Sequence, residues 1–506
     1  MKILCINPNT DGYGKINIGF TMVMNVLQEA GHEILLFDPT FIVVEDHQDE
    51  KVRKDAGFVD PIDIAWMYDY KPREEIDDML RWRIDHFKPD LALCTIVEEN
   101  YEYADHLLGI CKEFWLTTMV GGCTPSCAPE VIIENPNIDY VCQGEGELAM
   151  VDFLADVSLS VINVDGGSFW WKRRGIIHSP TRPRPFIDMN QLPMQNLDMW
   201  DDKHHYKPFL SKLRRNITIE MSRGCPYGWC NYCHNSTQRS NQKECGKWHR
   251  EKSLDNVFRE MHYLIEKHDM NLVFFVDDDF LVMGKPRWAE FVRRYKEEIN
   301  LPFWMNTELD SINERNSNDL TEIGCAGVGI GLESGSEWIR SNVLNRKYVS
   351  NAEMTRRFKI IDDAGIRLTL NTMIGIPGEH EDDIFESIKF LRALKPKSID
   401  CNYLTPFIGT PIHKTALKHG LFEAQTRPGF RGMVKNPRMR KHPSMDMPWI
   451  SQETLKDIYY KFSDYVYEKI PIPAQFEKPA PGSTLDIPRD DGREIITVDS
   501  LCPKPT

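Results

Sequence analysis

Ser222-Arg223-Gly224-Cys225-Pro226-Tyr227-Gly228-Trp229-Cys230-Asn231-Tyr232-Cys233-His234 decides the reading of this 506-residue chain. It follows an apolar, β-branched run at 216–221 that has the length of a strand, so three thiols sit in a loop at a strand's end. Thiolates gathered this densely hold a metal, and two centres satisfy the spacing. A zinc site would draw on Cys230, Cys233, Cys245 and His249, since C-x2-C followed by C-x3-H supplies four tetrahedral ligands. A 4Fe–4S cluster would draw on Cys225, Cys230 and Cys233 and leave its fourth iron open to a small molecule. The zinc set leaves Cys225 without a role.

Working outward toward the C-terminus, strand candidates at 272–276, 302–307, 327–332, 367–373 and 398–404 alternate with helix-length segments. With 216–221 they make six β/α units, which predicts right-handed crossovers and a parallel barrel or partial barrel. Chemistry in such a barrel sits where the strands end, and Asp277, Asp278, Asp279, Glu308 and Glu333 fall there.

Toward the N-terminus, strand candidates at 2–6, 33–37, 90–96, 116–120 and 140–142 alternate with amphipathic segments. This is the pattern of a doubly wound, Rossmann-like parallel sheet, which binds ligands at the carboxyl ends of its strands. Glycines cluster at those ends: Gly12 and Gly14, Gly121-Gly122, and Gly144-Glu145-Gly146-Glu147. Between the two series, Asp165-Gly166-Gly167 reads as the turn of a hairpin joining 161–164 to 168–172, and prolines follow. Beyond 410 regularity fades into a basic run at 427–441, a helix at 452–468 and a Pro-rich tail. The expected division is therefore a sheet domain over 1–157, a linker with a β-hairpin over 158–210, a (β/α)6 partial barrel over 211–410, and a small, mainly helical or irregular C-terminal region over 411–506 that selects the substrate.

With these landmarks in this order, the chain resembles the cobalamin (B12)-binding radical S-adenosylmethionine (SAM) enzymes. That group includes the class B radical SAM methyltransferases and proteins similar to the anaerobic Mg-protoporphyrin monomethyl ester cyclase. The family's usual loop is C-x3-C-x2-C; here it is C-x4-C-x2-C. The resemblance implies cluster ligands Cys225, Cys230 and Cys233, and SAM contacts from Tyr232, Asp277, Asp278, Glu308, Glu333, Ser334, Gly375 and Ile376. It also implies cobalamin contacts from Asn9, Gly12, Thr95, Gly121, Gly122, Thr124, Gly144, Glu145, Gly146 and Glu147. The first domain lacks an Asp-x-His-x-x-Gly segment, so cobalamin is expected without a histidine lower ligand. The implied activity is a cobalamin-dependent C-methyltransferase: a 5′-deoxyadenosyl radical takes a substrate hydrogen, and methyl passes from methylcobalamin to an unactivated carbon. The alternatives are an oxidative cyclase or ring-rearranging enzyme with the same cofactors, and a zinc-containing binding protein. No catalytic residue is assigned.

Composition bounds the partners. Lys plus Arg number 61 against 76 Asp plus Glu, a net charge of −15, which argues against nucleic acid. The 13 cysteines are odd in number, the first apolar run is too short for a secretory leader, and no run of about 18 apolar residues occurs, so a cytoplasmic protein off the membrane is expected. The expected partners are an external electron donor of flavodoxin or ferredoxin type and a small-molecule or peptide substrate, anionic if the basic run faces it.

Overall fold

The computed structural model describes residues 1–9, 16–42, 48–158, 168–180, 184–347, 349–435, 437 and 441–477. Gly12, the turn at Asp165-Gly166-Gly167, and Arg438 and Arg440 of the basic run lie outside the described residues.

The first sheet contains β1 (Lys2–Ile6), β2 (Glu33–Phe37), β3 (Leu91–Thr95), β4 (Thr117–Gly121), β5 (Tyr140–Cys142), β6 (Phe169–Arg173) and β7 (Ile176–His178), in the order β2-β1-β3-β4-β5-β6-β7. The first five are parallel. Strands such as β3, Leu-Ala-Leu-Cys-Thr, are buried at every position because helices cover both faces. One of those helices, Ile18–Glu29, starts where the Asn17 side chain accepts from the Phe20 amide at 2.9 Å. The segment at 168–172 does form a strand, but it is no separate ribbon. As β6 it pairs antiparallel with β5, and β7 pairs with it in turn, so the hairpin extends the first sheet.

The second sheet contains β8 (Tyr206–Phe209) and β9 (Lys212–Ile219), then, past the short pair β10 (Ser222–Arg223) and β11 (Arg250–Glu251), β12 (Leu272–Phe275), β13 (Phe303–Asn306), β14 (Cys325–Glu333), β15 (Arg367–Ile374) and β16 (Ser398–Tyr403). Its order is β16-β15-β14-β13-β12-β9-β8, six parallel strands in chain order with antiparallel β8 at the edge: a half-barrel. β9 begins four residues before the expected 216 because residues 212–215 pair with β8. β10 and β11 pair with each other and close the cysteine loop between them like a drawstring.

One face of the first sheet (Ile3, Cys5, Met119) belongs to the same apolar core as the half-barrel (Ile217, Phe275, Met305). The other face packs helices Arg73–Phe87 and Tyr101–Glu113 together with Ile408, Phe430 and Met433 of the C-terminal region. At about 1.5–3 kcal/mol for each fully buried large apolar side chain, this shared burial holds the two sheets together. No described helix is long and apolar enough to cross a membrane.

Candidate functional site

The carboxyl ends of both sheets face one cavity of about 460 Å³. Its floor is an apolar channel between helices Ile18–Glu29 and Glu147–Ser158, lined by Phe20, Val23, Leu93, Met119 and Met150. Its mouth is polar and belongs to the second sheet's loops, with Arg223, Asn235, Gln238, Trp248, Arg250 and Asp278.

Gly224 borders this mouth and leads into the cysteine loop. The loop is fixed at several points. The Asn231 amide donates to Leu344 O at 2.9 Å and its side chain to Val343 O at 2.9 Å, while Tyr227 Oη donates to Asn345 O at 2.8 Å. The residue added by the C-x4-C spacing is absorbed at Gly228. This glycine has φ +60°, donates its amide to Cys225 Sγ at 3.3 Å, and leaves only 3.0 Å between a Cβ and Cys225 O. Burial pushes the Cys225 thiol up to about 11 and that of Cys230 up to about 12, and it raises Cys233 as well; each of the last two is raised further by neighbouring cysteines of the set. Three such thiols in one loop ionise for a cation, and this donor set fits a cluster with one open iron. The zinc alternative finds no support, since among the described residues Cys230, Cys233, Cys245 and His249 do not converge into one ligand group.

The acidic strand ends separate into distinct roles. Asp277 turns away from the cavity: Oδ2 accepts from the Met221 amide at 3.3 Å and Oδ1 from Ser222 Oγ, and burial raises its carboxyl to about 7. Asp278 lines the cavity, accepts from Asn235 Nδ2 at 3.1 Å, and is likewise raised by burial. Glu308, Glu333 and Tyr232 meet around Arg346, a residue the sequence reading did not single out. Its guanidinium donates to Glu308 Oε2 at 2.6 Å and to Tyr232 Oη at 2.8 Å, and lies 3.4 Å from Glu333 Oε1. Glu333 has φ +66° beside a bulge in β14, a strained conformation of the kind that clusters at working sites. Ser334 is fully buried against Ser387 at 3.2 Å, away from the cavity. Gly375 and Ile376 donate their amides to the buried Glu379 at 2.7 and 3.1 Å, which shapes a tight turn after β15.

In the first domain, Thr95, Gly121, Gly122, Gly144, Glu145, Gly146 and Glu147 all line the cavity. Asn9 is bonded to Thr40 at 3.1 Å and Thr124 is fully buried beneath the wall. Channel width depends on absent side chains: a Cβ at Gly146 would come within 3.3 Å of Val23, and one at Gly144 within 2.8 Å of Gln242. Glu145 and Glu147 are occupied by the other domain. Arg223 reaches Glu147 at 2.7 Å, Glu145 at 3.1 Å and Glu220 at 2.9 Å, and Arg250 reaches Glu145 at 2.8 Å. Burial opposes ionisation of Glu145, but the two arginines hold its carboxyl below the usual range. These carboxylates therefore latch the two sheets together. The basic run acts similarly: Arg427 pairs with Glu102 and Asp105, Arg431 with Glu134, and Lys435 with Glu423.

A half-barrel with a three-cysteine loop after its first parallel strand, and acidic groups at the next strand ends, defines an enzyme that joins an iron–sulfur cluster to SAM. Residues 219–391 match the family described as the Radical SAM superfamily, a match that implies a 4Fe–4S cluster and SAM as cofactors. It is 26% identical to the uncharacterized methyltransferase PH0819 of Pyrococcus horikoshii, over 67% of this chain and 72% of that one. It is 23% identical to the anaerobic magnesium-protoporphyrin IX monomethyl ester cyclase of Rubrivivax gelatinosus, over 70% of this chain and 62% of the cyclase. The fold is similar to that of the radical SAM methyltransferase TsrM from Kitasatospora setae, with a TM-score of 0.60, 16% identity, and coverage of 82% of this chain and 76% of TsrM.

Proposed function

We propose that the protein is a cobalamin-dependent radical SAM C-methyltransferase acting on a small molecule or peptide, with electrons from an external flavodoxin- or ferredoxin-type donor. The observation that carries this reading is the cavity shared by the two sheets, whose apolar channel in the first reaches Gly224, at the start of the cysteine loop, and Asp278 of the second. The fold relative TsrM has been solved with cobalamin and a 4Fe–4S cluster bound. The channel between Phe20, Val23 and Met150, kept wide at Gly121 and Gly146, suits the nucleotide tail of a cobalamin, with the corrin at the mouth. When bound, the cluster and SAM supply the radical that removes a substrate hydrogen, and cobalamin supplies the methyl group.

The chain's own residues bind and orient. Cys225, Cys230 and Cys233 hold three irons; Asp278 faces the cavity as the acceptor for SAM's amino group; and Arg346 fixes Glu308, Glu333 and Tyr232 in one arrangement. The Arg223 and Arg250 latch closes the wall between the domains and limits water entry. Anaerobic, reconstituted protein incubated with reduced cobalamin and CD3-labelled SAM should form deuterated methylcobalamin without any substrate. Cleavage of SAM to 5′-deoxyadenosine with no label on cobalamin would instead favour a non-methylating cyclase, the activity named for one relative.

A further inference from the structure

A second thiol cluster stands beside the cysteine loop and is used by neither SAM nor the radical centre. Cys123 and Cys127 occupy the two ends of the short helix Cys123–Cys127 that follows β4 in the first domain. Their spacing of four residues puts both side chains on one face. His234 comes from the other domain, at the start of helix His234–Asn241. The two Sγ atoms and a ring nitrogen of His234 lie within 4.8 Å of one another, and both cysteines are free thiols.

Three further observations point to a missing ion. His234 Nε2 is buried without a hydrogen-bond partner. Glu98, only 3% exposed, holds Oε2 against the Ile408 amide at 2.7 Å but leaves Oε1 buried and unpartnered, and its charge acts on both His234 and Cys127. A buried imidazole nitrogen without a partner beside two thiols is costly to leave unmet. Finally, the groups are held in place: Gln238 donates to Cys123 Sγ at 3.3 Å, and the His234 ring stacks on Phe407 at 5.1 Å between centroids.

We propose that Cys123, Cys127 and His234 bind a zinc-class divalent ion that pins the first domain to the cysteine loop. Two thiolates and an imidazole are a borderline-soft donor set, suited to zinc and unsuited to magnesium or calcium. Tetrahedral coordination at about 2.3 Å to sulfur and about 2.0 Å to nitrogen places ligand atoms under 4 Å apart, a small contraction from the present separation. Cys123 also lines the cavity, so a fourth ligand could reach the ion from that side. Binding releases the two thiol protons to solvent and involves no electron transfer.

This site does not depend on what the cavity binds. Anaerobically purified holoprotein, treated with a weak chelator to strip loose metal and then given zinc chloride, should retain about one zinc per chain besides its iron. Zinc K-edge absorption should show two sulfurs and at least one nitrogen. C123S/C127S should lose the zinc and keep the cluster's iron and visible absorbance, whereas C225A should lose iron and keep zinc. No retained zinc in the wild type, a zinc shell without two sulfurs, or zinc that disappears with Cys225 would each overturn the proposal. Because the absorption measurement uses the unaltered protein, a variant that fails to fold does not remove the test.

Discussion

Replacing Arg346 by methionine probes the strand-end arrangement most directly. The guanidinium is nearly inaccessible, with 7% of its side chain exposed, and it is the shared partner of Glu308, Glu333, Tyr232 and the Gly331 carbonyl, the last at 2.5 Å. Removing the cation strands the buried Glu333 and the partly exposed Glu308 without their shared partner, a loss of up to about 3–5 kcal/mol by comparison with fully buried networks. Set against a usual stability of about 5–15 kcal/mol, the variant should fold with a much reduced margin. The penalty should also depend on pH. Burial raises the Glu333 carboxyl even with Arg346 in place, and Arg346 is the first force opposing that rise. Without it, the folded-state value climbs further above the unfolded one. A carboxyl shifted this way binds more protons when folded, so its unfavourable contribution is absent below the unfolded value, grows as pH rises through the folded one, and is full above it.

Urea unfolding of the anaerobic holoprotein, followed by tryptophan fluorescence, should therefore show a larger deficit for R346M at about pH 8 than at about pH 6. R346M/E308Q/E333Q should recover most of the loss, because neutral amides remove the stranded charges. SAM affinity should fall by at least about tenfold in R346M, equivalent to about 1.4 kcal/mol, since Glu308 and Tyr232 lose their anchor. A single variant as stable as wild type at both pH values, or a triple variant no better than the single, would refute the reasoning.

Further substitutions separate the remaining roles. C225A, C230A and C233A should each lose cluster iron and visible absorbance, whereas C245A and H249A should keep both; iron loss from C245A would overturn the three-cysteine ligand set. D278N should weaken SAM binding by about tenfold or more, measured by equilibrium dialysis, because a neutral amide attracts an ammonium group less than a carboxylate does. D277N should leave SAM binding nearly unchanged. Since the Asp277 carboxyl is raised to about 7, wild-type stability should decline with rising pH between about 4 and 7, and D277N should flatten that slope in urea titrations. G146L, placing a side chain where a Cβ already comes within 3.3 Å of Val23, should weaken cobalamin binding at least about a hundredfold in spectral titration while the iron content stays constant.

Both sheets were legible in the sequence for a shared physical reason. A parallel strand covered on both faces needs apolar residues throughout, and β1, β3 and β4 show short runs of them between turn signals. The cysteine loop was legible because its three ligands lie close together in the chain. Contacts between distant residues were not. Asp277 and Asp278 are chemically alike in sequence, yet successive side chains at a strand end point to opposite sides, and only the neighbours decide which one faces the cavity. Arg346 lies in an unremarkable stretch, Ser341-Asn342-Val343-Leu344-Asn345-Arg346, and its importance comes from Glu308 and Glu333 on two other strands. Cys123 and Cys127 show helical spacing, but the histidine that completes the cluster belongs to the second sheet.

The charge expected of the substrate changes for the same reason. The basic run at 427–441, in an acidic chain, suggests attraction of an anion. Of its described members, Arg427, Arg431 and Lys435 are each bound to carboxylates, two of them to carboxylates of the first domain. The cations at the cavity mouth are engaged as well: Arg223 is held among Glu145, Glu147 and Glu220, and Arg250 spans Glu145 and the Ile187 carbonyl. An anionic group entering the cavity would have to displace a carboxylate from one of these arginines, exchanging one charge-assisted contact for another with little net gain. Electrostatics at this mouth thus serve the docking of the two sheets.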